Sequence, residues 1–188
     1  MEAKEKIREA EFWLEKIRAP FNNANQKTVI ILTGKALRQW KSYLSAFLTS
    51  MRSIPDYILE DYNVKHSLGI ALEDRLSPKT FEKRVKQIKD EKERRKAQKF
   101  LEFWKAKMKE IREDPACSFL IKLRHIAVHR RYVKPNTVKA TLYQDKPPRV
   151  HGWFFQSYDD EDVLTICNKY FNKMKKFVKE AEQFLNEC

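Results

Sequence analysis

The sequence predicts an all-α bundle, and three observations carry that expectation. Only three glycines and seven prolines interrupt 188 residues, while Lys, Glu, Ala, Leu and Phe are abundant, a balance that favours long helices. Apolar residues recur at three- and four-residue intervals over most of the chain, the period of a helix with one buried face. Two pairs, Ser77-Pro78 and Asp114-Pro115, set a capping residue before proline, which marks a helix start. With 42% apolar and 12% aromatic residues there is material for a sizeable core, and 1–188 fits one domain.

In order along the chain, Ala3, Ile7, Ala10, Leu14 and Ile17 predict a first helix over 2–19, ending before Pro20. Leu37, Trp40, Leu44, Phe47 and Met51 form the stripe of a second, with Pro55 as its breaker. The polar run near Asp61-Tyr-Asn63 then reads as a connection, with a short turn of helix over Leu68–Leu76. After Ser77-Pro78, Phe81, Val85 and Ile88 give one apolar face, which Phe100, Phe103, Trp104, Met108 and Ile111 resume. Between them Lys89–Lys96 holds no apolar residue and reads as a solvated helical bridge or an exposed tip joining two helices.

Asp114-Pro115 opens a helix over roughly 115–131. Thr137–Tyr143 alternates and is β-branched, Asp145–Pro148 turns, and Val150–Phe155 is aromatic, so a minor β-hairpin is expected near 137–156. Acidic residues 159–162 suit the start of a last helix, lined by Val163, Ile166, Tyr170, Met174, Phe177, Ala181 and Leu185. The count is about five principal helices.

Cys117, Cys167 and Cys188 are odd in number and widely spaced, as in reduced thiols. The charged N-terminus carries no apolar signal core and no apolar run approaches the length of a membrane span, so a soluble, cytoplasmic protein away from membranes is expected. Net charge is +13, which favours a polyanionic partner. From Pro115 to Gln144 there is no Asp or Glu, while Lys122, Arg124, Arg130, Arg131, Lys134 and Lys139 are present.

That acid-free window contains Arg124-His-Ile-Ala-Val-His129. Arg binds phosphate through a planar, permanently charged fork, and His exchanges protons near neutral pH. These are groups that phosphodiester cleavage without a metal requires. Helical geometry constrains them: positions five apart are rotated by about 140°, so Arg124 and His129 do not share a face of a regular helix. They converge only if His129 sits in an unwinding last turn or a second chain supplies one of them. His125 and His129, four apart, do share a face.

An interhelical salt bridge for Arg124 and a C-cap for His129 are the ordinary roles of such residues, and spacing alone leaves them open. A metal pair of His125 and His129 would need a third donor from His66, His151 or Cys117, and no Glu follows His125; no metal is expected. Ser118 lacks a Gly-rich elbow, and three scattered glycines make no phosphate-binding loop.

Arg124, four intervening residues and His129, on the penultimate long helix of a small basic helical protein, resemble the HEPN superfamily. Its signature is an Arg, four to six residues, then His, often with a polar residue after the Arg, where His125 stands. Tyr43–Ile54 is similar to the small-residue segment ending the second helix of many prokaryotic members. The resemblance in helix order spans nearly the whole chain. It implies an up-down helical bundle that dimerises, gathering two Arg/His pairs in one cleft, and cofactor-free cleavage of RNA, with single strands the expected substrate.

In that scheme His129 is the general base or acid, Arg124 stabilises the phosphorane, and His125 is a supporting or second proton-transfer group. With Lys122, Arg130, Arg131 and Lys134 as RNA contacts, the resemblance implies a toxin or antiviral abortive-infection effector with an antitoxin partner. The alternative it carries is a non-catalytic module binding nucleic acid, nucleotide or a protein. HEPN toxins paired with a nucleotidyltransferase antitoxin often have Tyr two residues after the His. Here Arg131 holds that place and Tyr132 follows, so control through that tyrosine is not implied.

Overall fold

The computed structural model describes residues 1–22, 32, 34–70, 77–129, 135–141, 149–155, 158 and 161–187, with side chains at all of these except 22, 124–129, 135–141, 149–154 and 187. Among the described residues six helices and two strands follow in order: α1 (Glu2–Asn22), α2 (Gly34–Lys65), α3 (Pro78–Gln87), α4 (Glu91–Glu113), α5 (Pro115–His129), β1 (Pro135–Thr141), β2 (Arg149–Phe155) and α6 (Val163–Glu187). The result is an all-α bundle with one appended hairpin.

The four long helices run up and down. α2 lies antiparallel to α1: Trp40 Nε1 donates to Ile17 O at 3.0 Å and Ser50 Oγ to Glu9 Oε1 at 3.0 Å. At the other end of that pair, Asp61 accepts from the Glu2 and Ala3 amides at 2.8 and 3.1 Å. α4 returns along α2, where the Tyr62 and Phe100 rings stack at 4.0 Å. α6 runs against α4 through Phe100–Phe184, Phe103–Phe177 and a Lys107–Glu180 ion pair at 2.8 Å. Leu14, Ile17, Leu44, Phe47, Phe100 and Phe177 are buried in the core these helices share.

Pro55 does not break α2, contrary to the sequence expectation. An interior proline costs about 3 kcal/mol, whereas each fully buried apolar side chain contributes about 1.5–3 kcal/mol. Met51, Ile54, Ile58, Leu59 and Tyr62 are all buried across that point, so continuity wins. Pro55 O also accepts from Trp104 Nε1 at 2.9 Å. Similarly α1 runs through Pro20 to Asn22, its last turn held by Trp40 and by the Phe21 ring lying edge-on to Trp40.

The polar run at 61–63 is the end of α2 and not a connection, because its polar groups have tertiary partners. Asp61 caps α1, as above. The buried Asn63 side chain pairs with both backbone groups of Ile70, accepting from its N at 3.2 Å and donating to its O at 3.0 Å. Leu68 N to Asn63 O and Ser67 N to Val64 O form the paired bonds of a Schellman cap, with Ser67 at φ 49°. Residues 68–70 are therefore not helical; the rest of the expected turn, 71–76, lies outside the described residues.

The chain also breaks at 88–90, which makes six helices where five were expected. Asp90 caps α4 by accepting from Glu93 N at 2.8 Å, so the charged run opens a helix at an exposed corner. The hairpin is antiparallel, with Val138 opposite Trp153. Asp162 caps α6, accepting from Leu164 N and Thr165 N at 2.9 and 3.1 Å. No described helix is long and apolar enough to cross a membrane.

The end of α2 yields a stability test. Ser67→Gly relieves the left-handed backbone and is expected to raise unfolding free energy by about 0.5–1 kcal/mol. Asn63→Ala strands two buried backbone groups of Ile70 and is expected to lower it by about 2–4 kcal/mol. Urea titration of both variants checks the pair, and equal stabilities would contradict this account of the α2 terminus.

Candidate functional site

The helix bearing the Arg/His motif begins one residue after α4 ends. Asp114 terminates α4 and caps α5: its Oδ1 accepts from Cys117 N at 3.0 Å and its backbone O from Ser118 N at 2.8 Å. Lys173 on α6 pairs with the same carboxylate at 3.1 Å, which ties the start of α5 to the bundle. Pro115 then occupies the first helical position, where no N–H is needed.

From there α5 buries Ala116, Cys117, Leu120 and Leu123, while Lys122 is exposed and Ser118 half-buried. Phe119 packs against Phe155 at 5.2 Å and Tyr158 at 5.0 Å, so the end of β2 and Tyr158 brace the outer side of the helix. These positions fix the register, and the backbone stays helical to His129. By the 100° step, position 124 falls on the stripe of Cys117 and Leu120. Positions 125 and 129 fall on the stripe of Ser118 and Lys122, away from the buried one.

His125 and His129 thus share a face with Lys122, as their spacing predicts, and Arg124 does not join them. α5 is helical through His129, its last residue, so the two motif ends diverge by about 140° within one chain. Of the other RNA contacts expected from sequence, Arg130, Arg131 and Lys134 lie outside the described residues.

Among the described residues no group of three His, Cys, Asp or Glu side chains gathers as a metal site. Cys117 is buried, and burial together with the adjacent Asp114 pushes its thiol up to about 12, so it is a neutral packing group. His66 sits at the far end of α4 from Pro115, stacked on Tyr62 at 4.2 Å, and burial lowers its pKa below the ordinary value.

One cluster escaped sequence reasoning: His66, Arg84 and Lys89 line a common cleft, although they come from three separate segments. The sole signal in the sequence is Gly69, one of only three glycines, at φ 67°. No protein-family model matches this chain, and neither a curated protein nor a solved structure is found that matches it.

Asp114 offers a pH test of the motif helix. Its partial burial raises the carboxyl pKa, but the bonds from Cys117 N and Lys173 outweigh this and leave it lowered. A depressed folded pKa gives stability that is present above the unfolded carboxylate range and lost as pH falls through the folded value. Asp114→Asn is therefore expected to lower stability at pH 7 by about 0.5–1.5 kcal/mol and to flatten acid unfolding below about pH 4. Thermal melts from pH 2.5 to 7 decide it; parallel wild-type and variant curves would refute the assignment.

Proposed function

We propose that this chain is a HEPN-type, metal-independent endoribonuclease acting on single-stranded RNA as a homodimer. The observation that carries the reading is the register of α5: two imidazole positions on the stripe of exposed Lys122, and an Arg on another face of the same unbroken helix. One chain offers no common face for Arg124 and His129. A two-fold pairing of α5 segments gathers Arg124 of one protomer and His129 of the other about one phosphate.

The chemistry follows from these groups. One imidazole, His129, takes the proton of the RNA 2′-hydroxyl as its oxygen bonds to phosphorus. Arg124 stabilises the added charge on the phosphorane. The P–O5′ bond then breaks, O5′ leaves with a proton from His125 or the partner's imidazolium, and a 2′,3′-cyclic phosphate remains. DNA, lacking the nucleophile, is spared. Lys122, Arg130, Arg131 and Lys134 contact neighbouring phosphates. Such an activity suits a toxin or abortive-infection effector restrained by an antitoxin.

Purified protein is expected to cut single-stranded RNA in EDTA and to leave 2′,3′-cyclic ends. Arg124→Ala and His129→Ala should each reduce the rate by about 10²-fold or more with folding retained. Mixing the two variants should restore part of the activity through heterodimers. Cleavage that persists in either variant, or that requires a divalent metal, would defeat this mechanism, and RNA binding without cleavage would favour a binding module instead.

A further inference from the structure

We infer that the corner where α2, α3 and α4 meet is a second phosphate site, which holds the backbone of single-stranded RNA away from the motif helix. This inference rests on the ribonuclease reading for its ligand but on different residues for its evidence. The corner contains a cleft of about 470 Å³ lined by His66, Arg84, Gln87 and Lys89, among others. It lies at the start of α4, a helix roughly 34 Å long, while α5 begins after the other end.

Arg84 is the centre of the site. Its Nε donates to Leu68 O, and an Nη1 hydrogen is given to Gln87 Oε1 at 3.0 Å. Both acceptors are neutral, and among the described residues no carboxylate pairs with this guanidinium. The fork is therefore oriented yet keeps its full charge, with three of its five N–H groups unspent. Gly69 lets the backbone lie against it: a Cβ there would come within 2.9 Å of Nη2, and φ 67° favours glycine.

The neighbouring charges complete the case. Lys89 lines the cleft and Lys92 stands exposed in the first turn of α4, and neither has an ion-pair partner among the described residues. Of the two acids of the cleft, Glu93 pairs with Lys96 at 3.1 Å and stands 3.9 Å from His66, while Asp90 keeps its charge and is turned to the Glu93 amide at 2.8 Å, so Arg84 and Lys89 together outweigh it. On a larger scale, Lys79–Arg112 holds fourteen basic and six acidic residues, whereas Glu2–Asn22 and 161–187 hold five of each. The surplus is local, and a fixed guanidinium at its centre is suited to a phosphodiester.

The test uses the full-length protein and a labelled 20-nucleotide 2′-O-methyl RNA, which the proposed ribonuclease cannot cut. Fluorescence anisotropy across a salt series is expected to show Lys89→Glu/Lys92→Glu binding about tenfold or more weaker, with the salt slope reduced by about 1.4, or about 0.7 per lost phosphate contact. Arg84→Lys, which keeps the charge but not the fork, should also weaken binding, while thermal melts of the Lys variant match wild type. ADP should compete poorly against the RNA; competition by ADP at equal concentration would assign the cleft to a free nucleotide and overturn the backbone site. Unchanged affinity and slope in the Lys variant, or no RNA binding by the wild type at low salt, would also overturn it. If cleavage depends on Arg124 and His129 while the Lys variant binds as wild type, this site fails and the ribonuclease reading stands. If the Lys variant loses binding but no RNA is ever cut, the site stands and the ribonuclease reading fails.

Discussion

The unbroken course of α2 through Pro55 is the constraint on which the rest of the molecule depends. Had the helix ended there, Ile58, Leu59 and Tyr62 would not continue the stripe that begins at Trp40, and Phe100 of α4 would lose its stacking partner. The proline's missing hydrogen bond is outweighed by several buried side chains at about 1.5–3 kcal/mol each. Trp104 Nε1 adds a bond to Pro55 O at that point, so α4 is fixed on α2 where α2 is locally weakest. The position of α4 in turn sets where α5 can begin, because only Asp114 separates them.

That single-residue junction matters for the candidate chemistry. Asp114 closes one helix, caps the next and pairs with α6, so the start of the motif helix has no slack. A helix started rigidly and left regular keeps its 100° step, and no local adjustment along it brings positions 124 and 129 onto one face. In the ribonuclease we propose, gathering both groups on one phosphate therefore takes a second protomer, while within one chain positions 125 and 129 fall on the stripe of Lys122. Under that proposal, an Arg/His motif of this spacing on a regular helix bears on assembly as much as on proton transfer.

Much of the fold was legible in the sequence because its signals are local. The periodic stripes of α1, α4 and α6, the cap-then-proline starts at Ser77 and Asp114, the acidic start of the last helix and the alternation of the first strand each act within a few residues. The misreadings fall where tertiary contacts decide. Pro20 and Pro55 look like breakers until Trp40 and Trp104 are seen to reach the adjoining carbonyls. Asp61 and Asn63 look like a loop until their partners, the α1 amides and Ile70, are in place. For the candidate site, the sequence supplied the residues and the angle between Arg124 and His129. It could not supply the cleft of His66, Arg84 and Lys89, since no short spacing links 66 to 84 and 89.

Charge shows the same division between local and tertiary information. The net +13 reads as a general affinity for polyanions, yet α1 and the segment 161–187 carry balanced charges that the fold spends on joining helices, as in Lys4 with Glu182 and Lys175 with Glu11. Such exposed pairs contribute little stability, about 0–1 kcal/mol each, but they remove those cations from long-range attraction. What remains positive lies along α3 and α4 and in the acid-free window that begins with α5. α4 therefore separates two basic regions, one around an oriented guanidinium and one around the histidine stripe. A strand held at the first would be kept at raised local concentration beside the second, which is how a modest surface charge becomes effective in positioning a flexible polyanion.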